Sequence, residues 1–294
     1  MTAFSRTPRS AEELRCRRLL RRAPAVVWKR FADGHELRLR LFLPAGHRAE
    51  YFAPAVLFYS GGMWAVENMS EFVAWSVHLS HRGVVCLIPE YRTPDRYDVT
   101  AEEILTDGRD AWRWLHHNAA GLGIDRDRIT LAGADAGGLM ALVATMQPLT
   151  EQRRWWRPGS RDVPPLQPAA VALFRGVVDT EAPEARALHV PESVSDPSAV
   201  NPCDLLRRCL PPLFCAHGML DPLLDYGMRE WFCEEWRALG NHAEWVLCPA
   251  GDHTLTGFGT NPAVFEQVLL AWLRFMVREG IWPEACAAGD ALME

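Results

Sequence analysis

The chain has 294 residues, 49% apolar and 23% charged, a balance that excludes disordered and fibrous classes. A net charge of −6 excludes general nucleic-acid binding, which needs a basic face. The eight cysteines form no C-x-x-C pair and no His-rich ligand spacing, so they read as reduced thiols, with no metal and no cofactor expected.

The segment "RCRRLLRR" (15–22) reads as a solvated helix within an N-terminal arm over 1–24. It contains no long apolar leader, and no later run approaches the ~18 apolar residues of a membrane span. The expectation is a soluble, cytoplasmic protein acting on a small molecule. Two runs follow, "AVVWKRF" (25–31) and "LRLRLFLP" (37–44), joined by an Asp-Gly turn. The alternation in the second predicts an antiparallel edge with one wet face.

From there strand-like and helical patterns alternate. Strands are predicted at 54–60, 84–90, 129–133, 169–174, 212–218 and 243–249, and helices at 71–81, 101–119 and 262–278. Apolar runs this continuous belong to strands covered on both faces, so the fold class is α/β with a mostly parallel sheet. The alternation predicts one domain over 25–280 and a tail over 281–294. Two stretches, 147–168 and 176–205, break it and read as lid-like insertions. Cys86, Cys215 and Cys248 lie inside apolar strands and are expected in the core. Trp112 and Trp231 lie on predicted helices and are expected to pack, while His78, His81, His116 and His117 sit near helix ends and are expected at the surface.

The chemistry centres on "ITLAGADAGGLMA" (129–141), a strand entering a crowded turn and leaving as a helix. The layout is that of a nucleophile elbow, G-x-S-x-G, with Asp135 at the serine position. In chain order Asp221 follows a strand in "CAHGMLDPLLDYG", with Asp225 as the fallback, and His253 follows the last strand in "CPAGDHTLTGF". Asp135, Asp221 and His253 are therefore the candidate catalytic residues. Oxyanion donors are expected from "FYSGGMW", through the N–H groups of Gly61, Gly62 or Met63, together with that of Ala136. Trp64, Trp155 and Trp156 fall in loops near this site, where substrate contact and lid packing are both open.

From about Pro54 to Met276 the chain resembles the hormone-sensitive-lipase and acetyl-esterase branch of the α/β-hydrolase superfamily. The motifs are "SGGMW", "PEYRT", "AWRWLHHNAAGLGIDRDRITLAGADAGG", "HGMLDPLLD" and "GDH". The resemblance implies an eight-stranded sheet and a site that, in relatives, hydrolyses small carboxylic esters, often sugar acetates. Met63 stands where relatives commonly have a third glycine, and Asp135 where they have serine.

A carboxylate attacking an ester would give a mixed anhydride, a less stable acyl carrier than the ester itself. Attack at a saturated carbon gives a stable alkyl ester instead. That is the route of haloalkane dehalogenases and epoxide hydrolases, which resemble this arrangement in having an elbow aspartate. Here, however, Ala136 replaces the dehalogenases' halide-holding tryptophan, and neither insertion carries the epoxide hydrolases' tyrosines. Three readings remain: an esterase-like hydrolase with an atypical site, an Asp-nucleophile or non-hydrolytic enzyme (a lyase or isomerase), and a catalytically inactive binding or interaction protein.

Overall fold

A computed structural model describes residues 11–62, 64, 68–147, 166–188 and 190–287. Met63, Trp155 and Trp156 lie outside the described residues, as does most of the 147–168 insertion. The strands β1 (Ala25–Arg30), β2 (Glu36–Phe42), β3 (Ala53–Tyr59), β4 (Val85–Pro89), β5 (Ile124–Ala134), β6 (Ala170–Phe174), β7 (Leu213–Gly218) and β8 (Ala243–Cys248) form one sheet. Its order is β1-β2-β4-β3-β5-β6-β7-β8. The β1–β2 and β2–β4 pairs are antiparallel, and every pair from β4–β3 to β7–β8 is parallel.

The β2 alternation is realised at the antiparallel edge. Leu37, Leu39 and Leu41 are buried, while Arg38 and Arg40 pair outward with Glu36 and Glu90. The inner strands β3, β4, β6 and β7 have almost no exposed residue, because helices cover both faces. These are α1 (Ala11–Arg22), α2 (Val73–Ser80), α3 (Ala101–Asn118), α4 (Ala136–Met146), the short α5 (Val190–Ser193), α6 (Tyr226–Ala238) and α7 (Pro262–Arg278). Helix α3 begins at a capping box in which Thr100 and Glu103 satisfy each other's backbone N–H. One hydrophobic layer gathers Trp112, Met140 and Trp236. The other gathers Trp75, Phe174 and Trp272, together with Cys86 and Cys248. Cys86, Cys215 and Cys248 are fully buried, and all eight cysteines are free thiols.

Three local expectations are corrected. His78 is buried rather than superficial, against the rings of Phe258 and Phe265; burial, aided by nearby cationic groups, lowers its pKa to about 4. Trp231 is exposed on α6 instead of packed. Within 176–205 lie the 3-10 turns Pro183–Leu188 and Pro197–Val200 as well as α5. Ser193 and Ser195 bond to the start of α3, so this stretch is docked against the body of the protein.

Candidate active site

Asp135 sits between the end of β5 and the start of α4 with φ 49° and ψ −122°. A non-glycine residue at positive φ is strained by about 1–3 kcal/mol and is held there only by its surroundings. Two backbone bonds show what holds it: the Gly138 and Val177 N–H groups both donate to the Asp135 carbonyl at 3.0 Å. Crowding explains the neighbouring glycines. A Cβ on Gly137 would collide with the Tyr59 carbonyl, and one on Gly133 with that of Gly137.

Asp221 follows β7, and its carboxylate accepts the Leu223 and Leu224 N–H groups at 2.8 and 3.2 Å. Its Oδ2 also lies 3.3 Å from Nε2 of the buried His217. His253 follows β8 and turns Nδ1 to Asp221 Oδ2 at 3.0 Å and Nε2 to Asp135 Oδ1 at 3.5 Å. The structure thus brings together the three residues picked from the sequence. Asp225 is engaged elsewhere, capping α6 through the Gly227 and Met228 N–H groups.

The oxyanion-loop candidates divide. The Gly61 N–H donates to Glu71 Oε2 at 2.7 Å, whereas the Gly62 N–H acts on the Asp135 carboxylate only by helping to lower its pKa. Ala136 is buried at the first turn of α4. Trp64 is 2% exposed and packs in the hydrophobic layer of α3 and α4, as a core side chain does.

Sequence reasoning missed the cation of the site. Arg175, just past β6, is buried and itself has φ 49°. Its Nε lies 3.0 Å from Asp135 Oδ1, off the hydrogen-bonding line, and its Nη2 donates to Asp135 Oδ2 at 3.4 Å. Nη2 also pairs with Glu71, and Nη1 donates to Thr256 Oγ1 at 2.9 Å. Glu71 belongs to the 3-10 turn Met69–Phe72, where the sequence pattern predicts helix. No motif marks either residue. Pairing of β5 with β6 is what brings 175 beside 135.

The charges are strongly coupled. Burial opposes ionisation of Asp135, but Arg175 foremost, then His253 and the Gly62 N–H, hold its pKa below the usual carboxylate value. Burial likewise opposes ionisation of Asp221, and hydrogen bonds from His217, His253 and Leu223 outweigh it. Burial disfavours the His253 imidazolium, yet the bonds to Asp135 and Asp221 prevail and raise its pKa to about 9. At neutral pH the site holds an imidazolium between two carboxylates.

Among the described residues, no group of three or more His, Cys, Asp or Glu side chains is arranged to hold a metal ion, and no helix is long and apolar enough to cross a membrane.

An eight-stranded, mostly parallel sheet with an elbow, an acid loop and a histidine loop at the strand ends defines the α/β-hydrolase class. Residues 56–256 match the model of the alpha/beta hydrolase fold family, and the chain belongs to that family. It is 32% identical over 124 residues to an ethyl acetate hydrolase from Pseudomonas putida, covering 41% of this chain and 37% of that protein. It is 30% identical over 188 residues to the carboxylesterase NlhH from Mycobacterium tuberculosis, covering 59% and 58%. The chain therefore spans well under two thirds of these relatives. Among solved structures it resembles Thermogutta terrifontis esterase 2 phosphonylated by sarin, with TM-score 0.79, 25% identity and coverage of 90% of this chain and 97% of that one. The native form of the same esterase gives TM-score 0.76 and 26% identity over 89% and 94%. By kinship and fold the chain is a member of the α/β-hydrolase family, and the relatives it resembles are esterases.

Proposed function

We propose that the chain is an esterase-type hydrolase scaffold whose elbow carboxylate silences ester turnover, leaving a small-molecule binding site. The observation that carries this reading is the Asp135 carboxylate, paired with buried Arg175 at 3.0 Å and facing His253 Nε2 at 3.5 Å. Covalent ester hydrolysis needs a nucleophile whose acyl product is stable, a base beside it and free N–H donors for the oxyanion. Asp135 would form an anhydride. His253, with its pKa near 9, has no lone pair free at neutral pH. The Gly61 N–H is taken by the Glu71 carboxylate.

The contact of His253 with Asp221 favours a second reading. Asp135 would displace a leaving group from a saturated carbon, and a deprotonated His253 would then activate water against the alkyl ester. Its Oδ1 must first leave Arg175, which makes this the weaker alternative.

The test compares the unaltered protein, Asp135→Ser, and Asp135→Ser/His253→Ala on a short-chain aryl acetate. Serine removes one of the two carboxylates that keep His253 charged, so the single variant gains hydrolysis and the double variant loses it again. Turnover by the unaltered protein that disappears in His253→Ala would overturn the silenced reading. Activity of the unaltered protein on haloalkanes or epoxides would favour the second.

A further inference from the structure

The two cationic side chains that meet the Asp135 carboxylate, Arg175 and His253, belong to other parts of the chain and are held there by other partners. Arg175 is clamped by its own backbone N–H on the Ala216 carbonyl at 2.8 Å, by Thr256 Oγ1 at 2.9 Å and by Glu71. Thr256 is itself held through its carbonyl by Trp75 Nε1 at 3.0 Å. Held this way, the guanidinium turns its Nε and Nη2 edge towards Oδ1 and Oδ2, at 3.0 and 3.4 Å. Nη2 makes the hydrogen bond and Nε a close ion-pair contact off the hydrogen-bonding line, so two nitrogens of one guanidinium edge face one carboxylate. His253 Nε2 lies 3.5 Å from Asp135 Oδ1. Gly61 completes the cradle, because a Cβ there would lie 2.6 Å from Asp135 Oδ2.

We infer that Arg175 and His253 form a binding site for a small monocarboxylate, which the chain fills with its own Asp135. The inference rests on the reading of Asp135 as an occupant of the site and not as its nucleophile. Ester hydrolysis yields a carboxylate beside these same donors, so Asp135 acts as a tethered product analogue. The charge balance agrees. Without Asp135, Arg175 and Glu71 pair as one cation and one anion, as do His253 and Asp221, and one added carboxylate restores the native sum.

The experiment uses Asp135→Gly, since glycine relieves the positive φ, with sodium formate as the probe and sodium chloride at matched ionic strength as the control. Thermal midpoint and the NMR titration of the His253 imidazole are both followed. Formate is expected to raise the midpoint of Asp135→Gly saturably and to move the His253 pKa back towards about 9, with neither effect in the unaltered protein. Asp135→Gly/Arg175→Lys keeps a cation for Glu71 but replaces the two-nitrogen guanidinium edge with a single ammonium, and should bind formate about tenfold more weakly. A formate response no larger than that to chloride, or equal in both variants, would overturn the site. Turnover of aryl acetate by the unaltered protein would instead sink the silenced-esterase reading, so the two failures are distinguishable.

Discussion

His253 lies between Asp221 and Asp135, and its titration sets the protein's response to alkali. Its pKa rises from 6.5 to about 9 on folding, which corresponds to roughly 3 kcal/mol. A raised pKa stabilises fully below the unfolded value and loses that contribution as pH climbs through the folded one. The urea midpoint should therefore fall between pH 6.5 and pH 9, and the fall should flatten in His253→Gln. Asp135 and Asp221 work in the opposite sense: their depressed values add stability above the ordinary carboxylate pKa and lose it in acid. At this scale Asp135, Asp221 and His253 were legible, since each sits in a turn just past a strand. Arg175 and Glu71 were not. Their partnership depends on sheet order and on a 3-10 turn, and neither residue lies in a pattern that separates it from an ordinary surface charge.

Among the elements, the connection after β6 places Arg175, and Arg229 of α6 secures it. Arg229 is buried, with Nε on the Gly176 carbonyl and Nη1 on Glu184 and the Asp225 carbonyl, all at 2.9 Å. Removing one partner of a buried pair leaves the other uncompensated, so Arg229→Ala should cost about 3 kcal/mol in urea unfolding. The strands themselves could be read from the sequence, because continuous apolar runs allow only burial on both faces. The 176–205 stretch could not: its turns are too short to show a period, and it is held by single polar contacts such as Ser195 on Glu102. His78 escaped for a related reason. A helix packed nearly all round, as α2 is, has no outer face to which a polar residue can be assigned.

Across the whole molecule, two hydrophobic layers share one sheet, and Trp272 is the hub of the second. It meets Phe58, Trp75, Phe174, Phe214 and Trp282 with ring centroids 5.2 to 6.3 Å apart. Trp272→Ala should cost about 3–5 kcal/mol, read from the urea midpoint at unchanged far-UV circular dichroism. That layer reaches the site as well. Cys16, Leu19 and Leu20 of α1 belong to the same layer as Met69 and Phe72, and α1 packs against the Met69–Phe72 turn that carries Glu71. The arm expected to be solvated thus buttresses one corner of the charge cluster. Its arginine count hid this, because the three apolar residues that matter lie among five arginines in "RCRRLLRR".

The double pairing of Arg175, to Glu71 and to Asp135, gives the site a direction in mutational history. If Asp135 changes first, Glu71 still balances the buried cation, and the chain passes through a folded intermediate. If Arg175 changes first, two buried carboxylates face each other with only His253 to offset them. A lineage moving between serine and aspartate at the elbow can therefore acquire the arginine early and must surrender it late, so the order of steps is written into the charges.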